Sequence, residues 1–325
     1  MTGLPISPAD VEAAALRLHG TVVETPLLES EALNALVGGR LLIKPESLQH
    51  TGSFKFRGAA NAIGVLRPPA VVAFSSGNHA QGVALAARRQ GIAATIVMPA
   101  DAPRAKLDGT RALGATVVTY DRAREDREAI GREIAARTGA VLIRPYDDPL
   151  IMSGQGTLGL EIAAQAACRG ARLDAALVCC GGGGLVAGCA TALCGRVPGI
   201  EVYAVEPQGF DDTTRSLAAG KRLPNAAGAR SFCDALLAPM PGELTFAVNA
   251  HLLAGGLTVT DAEVASAMRA AFRHLKLVTE PGGAVALAAA LAGKLPTRGR
   301  TIAVVISGGN VDADLFAGVL NEPAP

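Results

Sequence analysis

The stretch LDAALVCCGGGGLVAG, residues 173–188, joins two apolar runs through four consecutive glycines. The uncharged span from Ala175 to Gly195 is 21 residues long and would cross a bilayer if it were one helix. Glycine inside a helix costs about 1 kcal/mol relative to alanine, so four in a row divide the span. A buried strand, a glycine turn and a new helix fit it better than a membrane segment. Working outward, the same alternation recurs. Apolar, β-rich runs at 71–74, 94–98, 115–120, 140–144, 173–180, 200–206 and 301–307 are each followed by a helical stretch. Val83, Leu85, Ala86 and Ala87 belong to one such helix, which Gly91 stops. Thr260-Asp261-Ala262-Glu263 is a capping box opening another that runs to about Lys276. Strands alternating with helices predict α/β architecture with parallel sheets covered on both faces.

Composition narrows the function. The 325 residues are 50% hydrophobic and 18% charged, enough apolar material for a sizeable core. Thirty Lys and Arg face 29 Asp and Glu, leaving a formal charge of +1 and no broad field for nucleic acid or anionic membrane. Aromatic residues are 3%, with no Trp, so stacking platforms lack material. A small-molecule site is expected. The six cysteines, at 168, 179, 180, 189, 194 and 233, form no CxxC pair and read as small core hydrophobes of a reducing, cytoplasmic compartment. The N-terminus carries no signal-peptide pattern.

Four segments place glycine and small polar residues where ligands bind in open α/β sheets, at the carboxyl ends of strands. Gly181, Gly182, Gly183 and Gly184 present successive backbone N–H groups at a helix N-terminus, which suits a phosphate. Gly182, Gly184 and Ala187 also satisfy a GxGxxA dinucleotide pattern, with Glu206 nineteen residues beyond at the end of the next strand. That keeps an NAD-dependent dehydrogenase open, as well as a catalytically silent binding protein. Lys55, between Phe54 and Phe56, is either a solvated surface amine or one desolvated into a nucleophile toward aldehydes. Ser75-Ser76-Gly77-Asn78-His79 is either an ordinary helix cap or a carboxylate dock. Ser307-Gly308-Gly309-Asn310 closes the set as a turn after the last strand.

Taken in chain order, the Thr51–Gly58 segment around Lys55, Ser75 to His79, Gly181 to Gly184 and Ser307 to Asn310 resemble the fold-type II pyridoxal-phosphate enzymes, specifically the threonine/serine dehydratases and serine racemase. The likeness runs over nearly the whole chain, and Pro145-Tyr146-Asp147-Asp148-Pro149 and Gly154-Gln155-Gly156-Thr157 add to it. The resemblance implies a tryptophan synthase β-like fold of two domains, each a mainly parallel, open twisted sheet flanked by helices. The larger would be residues 1–66 and 149–325, the smaller 67–148, with the cofactor between them. Only fifteen residues follow Asn310, so no C-terminal regulatory domain is expected. A homodimer or other homo-oligomer is implied.

By the same resemblance the cofactor is pyridoxal 5′-phosphate, and Lys55 binds it covalently and later shuttles the α-proton. Phe54 would lie against its ring, Asn78 would bond its 3′-oxygen, Gly181 to Gly184 would cradle its phosphate, and Ser307 would face the pyridine nitrogen. Ser75, Ser76, Asn78 and His79 would receive the substrate. The implied reaction is β-elimination from L-threonine or L-serine, giving a 2-oxo acid and ammonia. Hydroxyaspartate dehydration and serine racemisation are the alternatives, and Ser76, where catabolic dehydratases often carry alanine, is the racemase candidate for a second acid/base. Glu206 and Asp212, with the carbonyl of Phe210, match the family's metal site for Mg²⁺, Mn²⁺ or Ca²⁺; a solvated acidic loop is the plain alternative. The charged run Arg124 to Glu128 reads as an exposed helix face.

Overall fold

The computed structural model describes residues 3–75, 77–102, 104–121 and 123–321. Two helices, α1 (Pro8–Leu18) and α2 (Glu31–Val37), precede strand β1 (Arg40–Pro45), and α3 (Lys55–Leu66) follows it. The chain then builds β2 (Ala70–Phe74), α4 (Asn78–Arg89), β3 (Ala93–Pro99), α5 (Arg104–Ala112), β4 (Thr116–Tyr120), α6 (Arg127–Thr138) and β5 (Val141–Leu142). These four strands form one parallel sheet in the order β4-β3-β2-β5. After α7 (Pro149–Cys168) come β6 (Ala175–Cys179), α8 (Gly184–Arg196), β7 (Glu201–Pro207), α9 (Asp212–Ala219), α10 (Glu243–Leu252) and β8 (Gly255–Val259). The last elements are α11 (Asp261–Ala270), α12 (Pro281–Leu291), β9 (Thr301–Ile306) and α13 (Ala313–Asn321). Here the strands pair in parallel in the order β1-β9-β6-β7-β8.

Both faces of the five-stranded sheet are covered, which is why β6 and β9 are apolar on both faces. In β6, Ala175, Leu177 and Cys179 face the core under α11 and α12, while Ala176 and Val178, with Cys180 beyond the strand, face that of α7 and α8. The run Ala175 to Gly195 is thus strand, turn and helix, and among the described residues no helix is long and apolar enough to cross a membrane. The Thr260–Glu263 capping box opens α11, which passes through a π-helical turn to Leu275. All six cysteines are free; four are buried, but Cys168 is exposed at the end of α7.

Three elements depart from the sequence reading. The run 140–144 gives only a two-residue strand, because Ile143 makes one last bond to Val72 O and Pro145 has no N–H to continue the ladder. β1 escapes notice because its apolar core is flanked by charge, yet Lys44 is fully buried in an ion pair with Glu161. β8 opens on two glycines, and at Gly256 a β-carbon would stand 2.2 Å from Thr214 Oγ1 of the overlying α9. Packing, not β-propensity, sets that strand's sequence.

Candidate active site

The carboxyl ends of β2, β6 and β9 open onto one cavity of about 240 Å³. Its wall includes Phe54, Lys55, Ser75, Asn78, His79, Ser307 and all of Gly181 to Gly184, so segments far apart in sequence meet at one place. Ser76 lies outside the described residues. Glu206, Phe210 and Asp212 are not on this wall.

Lys55 is the first residue of α3, and the chain reaches it through an antiparallel bridge from Ser53 to Gly308. Phe54 N–H then donates to Ser307 O at 3.1 Å, tying the lysine segment to the end of β9. Behind it, fully buried Arg57 donates to Glu46 Oε2 at 2.7 Å and to Glu161 Oε2 at 2.9 Å, anchoring α3 to the body of the molecule. The Lys55 ammonium donates to Pro145 O at 2.8 Å and stands 5.1 Å from the Phe54 ring centre. Burial brings its pKa down to about 8, against a smaller opposing pull from Glu280. An amine so placed has a far larger neutral fraction near physiological pH than an exposed lysine, and the neutral form is the nucleophile.

The glycine loop has no room for side chains. Gly183 has φ +93°, a left-handed conformation, and a β-carbon there would meet Asn249 Nδ2 at 2.8 Å. At Gly182 it would stand 2.5 Å from the Tyr146 ring. No side chain caps the N-terminus of α8, so its N–H groups remain for an anion. Ser307 is nearly buried at the end of β9. A cradle of bare amides, a desolvated amine and a neutral hydroxyl together fit pyridoxal phosphate.

Asn78 donates through Nδ2 to Glu280 Oε1 at 2.6 Å and accepts at Oδ1 from Asn310 Nδ2 at 2.7 Å. Asn310 also donates to Thr51 O at 2.7 Å, linking the first and last of the four segments. Glu280 is buried, and burial pushes its carboxyl up to about 8. His79 places Nε2 2.9 Å from Ile143 O, and burial with the nearby Lys55 charge depresses its pKa to about 3, so the ring stays neutral.

Sequence reasoning missed Glu280, Lys106 and Arg127, which also line the cavity. Glu280 occupies the N-cap position before Pro281, where an acidic residue looks like ordinary capping. Arg127 belongs to a charged run read as an exposed face; it is exposed, but its guanidinium lies 5.4 Å from the Phe74 ring centre on the cavity wall. Lys106 is paired with Asp234 at 3.1 Å.

Glu206 is fully buried and accepts from the amides of Thr213 at 2.9 Å and Thr214 at 2.7 Å, at the start of α9. It is therefore not a surface loop acid, nor does it reach the glycine loop's cavity as a ribose-binding acid would. Asp212 Oδ1 accepts from Asn225 Nδ2 at 2.7 Å, while its Oδ2 is buried without a hydrogen-bond partner. Burial, then mutual repulsion with Asp212, raises Glu206 to about 8; burial raises Asp212 to about 6. Among the described residues no cluster of three His, Cys, Asp or Glu side chains could hold a metal, so any cation here would need carbonyls or water as well.

The family model described as "Pyridoxal-phosphate dependent enzyme" matches residues 18–308. The chain belongs to this family. With it go the dehydrogenase and silent-binder readings. An L-threo-3-hydroxyaspartate ammonia-lyase of Pseudomonas sp is 44% identical over 315 residues, covering 96% of this chain and 97% of that one. A serine racemase of Schizosaccharomyces pombe is 38% identical, with 96% and 97% covered. Among solved structures, a threonine deaminase of T.th. is 45% identical at a TM-score of 0.89, covering 94% of this chain and 99% of that one. This pyridoxal-phosphate enzyme thus has the fold-type II architecture expected from its four segments, within a group of lyases and racemases.

Proposed function

We propose that this enzyme removes water from 3-hydroxy-L-amino acids, releasing a 2-oxo acid and ammonia, and that an acidic substrate, L-threo-3-hydroxyaspartate, is preferred over L-threonine and L-serine. The observation that carries the preference is Arg127 on the cavity wall. The side chains of threonine and serine carry no charge for a guanidinium to pair with, whereas a second carboxylate takes a charge-assisted, forked pair of bonds. The likeness to a hydroxyaspartate ammonia-lyase supports the same choice.

Bound pyridoxal phosphate supplies an aldehyde that condenses with amines and a conjugated ring that draws electrons from the α-carbon. The amides of Gly181 to Gly184 and the α8 terminus would hold its phosphate, Lys55 its aldehyde carbon and Ser307 its ring nitrogen. Ser307, a neutral hydroxyl, would supply no carboxylate to hold a proton on that nitrogen. Lys55 Nζ, its charged form disfavoured by burial, takes the α-proton when neutral. The Ser75 to His79 segment receives the α-carboxylate, and Arg127 receives the distal one. Loss of the hydroxyl, with proton assistance, leaves an enamine that water converts to oxaloacetate and ammonia.

The second site would take Mg²⁺, Mn²⁺ or Ca²⁺ on Glu206, Asp212 and the Phe210 carbonyl. The unpartnered Asp212 Oδ2 beside a second buried carboxyl supports this reading. Such a cation would neutralise the pair and brace the start of α9.

The test is 2-oxo acid formation by the cofactor-loaded enzyme on the three L-substrates, with chiral analysis of the serine pool. The expected result is a kcat/KM for hydroxyaspartate about tenfold or more above the others, lost in Arg127→Ala while L-serine turnover persists. Better turnover of threonine or serine, unaffected by Arg127→Ala, overturns the preference; D-serine accumulating faster than pyruvate overturns the lyase reading.

A further inference from the structure

A second cleft, of about 490 Å³, runs along one face of α3 from Phe56 to Arg67, between the C-terminal ends of α1 and α4. Phe56, next to Lys55, faces this cleft, yet the two spaces share no lining residue. Three arginines line it, Arg17 from α1, Arg67 from the end of α3 and Arg89 from α4, and among the described residues no aspartate or glutamate does.

Two of these arginines are fixed by neutral acceptors. Arg17 Nε donates to Asn61 Oδ1 at 2.9 Å, and Arg89 Nη1 donates to Thr21 O at 2.9 Å while its guanidinium lies 5.1 Å from the Phe56 ring centre. Neither bond cancels charge, so the positive field of the cleft stands uncompensated by its own walls. Arg67 caps α3 with φ +43°, a left-handed position that glycine or asparagine fills at less strain. An arginine there makes a poorer cap than glycine and adds a third cation to the cleft. Cations at helix C-termini do complement the helix dipoles. Dipole compensation needs no enclosed space between them and no left-handed arginine.

We propose that this cleft is a binding site for a small, multiply charged phosphate compound, held by Arg17, Arg67 and Arg89. Its volume is that of an ordinary small-molecule site, and forked guanidiniums pair well with phosphate oxygens. The site stands apart from the cofactor cradle and does not depend on which hydroxy amino acid the enzyme prefers. A bound anion would bridge the far ends of α3 and α4, whose near ends carry Lys55 and Asn78.

The test uses the cofactor-loaded enzyme, in which the glycine loop is already filled, and pyrophosphate as probe, titrated by calorimetry at constant ionic strength. A parallel EDTA titration accounts for heat from metal removal. Saturable binding of one pyrophosphate per chain, weakened about fivefold or more in Arg67→Gly and in Arg89→Ala, is the expected result. Arg67→Gly separates binding from capping, because glycine relieves the left-handed strain. Its denaturation midpoint should hold or rise while affinity falls. Absence of saturable binding up to about 10 mM, a concentration well beyond ordinary specific contacts, overturns the proposal. So does unchanged affinity in both variants.

Discussion

At the scale of single residues, the environment rather than the identity of Lys55 makes it chemically useful. An exposed lysine would stay almost fully protonated until near pH 10.5, whereas burial in this cavity lowers the pKa to about 8. The sign follows from the depressed folded value: the neutral form is favoured, and the burden of the buried charge lifts as pH rises through about 8. Recombination of the apoenzyme with pyridoxal phosphate, followed by absorbance, should therefore quicken about tenfold per pH unit below 8 and level off above it. A rate still climbing toward pH 10 would show that the amine is not desolvated. Lys55→Ala should lose this step and turnover together while keeping its fold, since the residue's anchoring falls to its neighbour Arg57. The residues that sequence left dark fail for one reason. Arg127, Lys106 and Glu280 come from helix starts and charged runs whose polarity is ordinary at a surface, and only the meeting of two sheets turns them toward a cavity.

At the scale of elements, what was legible was the handover from strand to helix. Gly181 to Gly184 declare their turn because glycine there is a steric demand, and β6 and β9 announce themselves by being apolar on both faces. β1 and β8 were illegible because a buried ion pair and an overlying helix, neither visible locally, set their composition. The α8 turn carries a direct prediction. Gly183→Ala puts a β-carbon on a left-handed residue and against Asn249 and Thr245, so the denaturation midpoint should report a loss of about 1–3 kcal/mol. Cofactor affinity, from an absorbance titration, should fall about tenfold as the cradle widens. Wild-type affinity in that variant would mean the phosphate sits elsewhere.

The whole molecule is two parallel sheets that share one cavity, with a pair of buried carboxyls set to one side. Those carboxyls link stability to pH and to metal. Glu206 at about 8 and Asp212 at about 6 both lie above their free values of 4.5 and 3.8, so folding favours their protonated forms. Their contribution is complete below about pH 4 and is lost as pH rises through 6 and then 8. Denaturation midpoints of chelated protein should therefore fall between about pH 5 and pH 8.5, and millimolar Mg²⁺ or Ca²⁺ should remove most of the fall. Identical curves with and without metal would leave the pair as a capping arrangement for α9 alone.

The Tyr146 ring over Gly182 gives the molecule an optical property as well. The chain has no tryptophan and three tyrosines, of which only Tyr146 lines the cavity. Ultraviolet emission is then the signal of three phenols, with no indole to mask it, and one of them sits against the loop where a coloured cofactor would rest. A chromophore entering that space absorbs the light Tyr146 would otherwise emit, so the brightness of the unlabelled protein becomes a gauge of how many molecules in a sample are loaded.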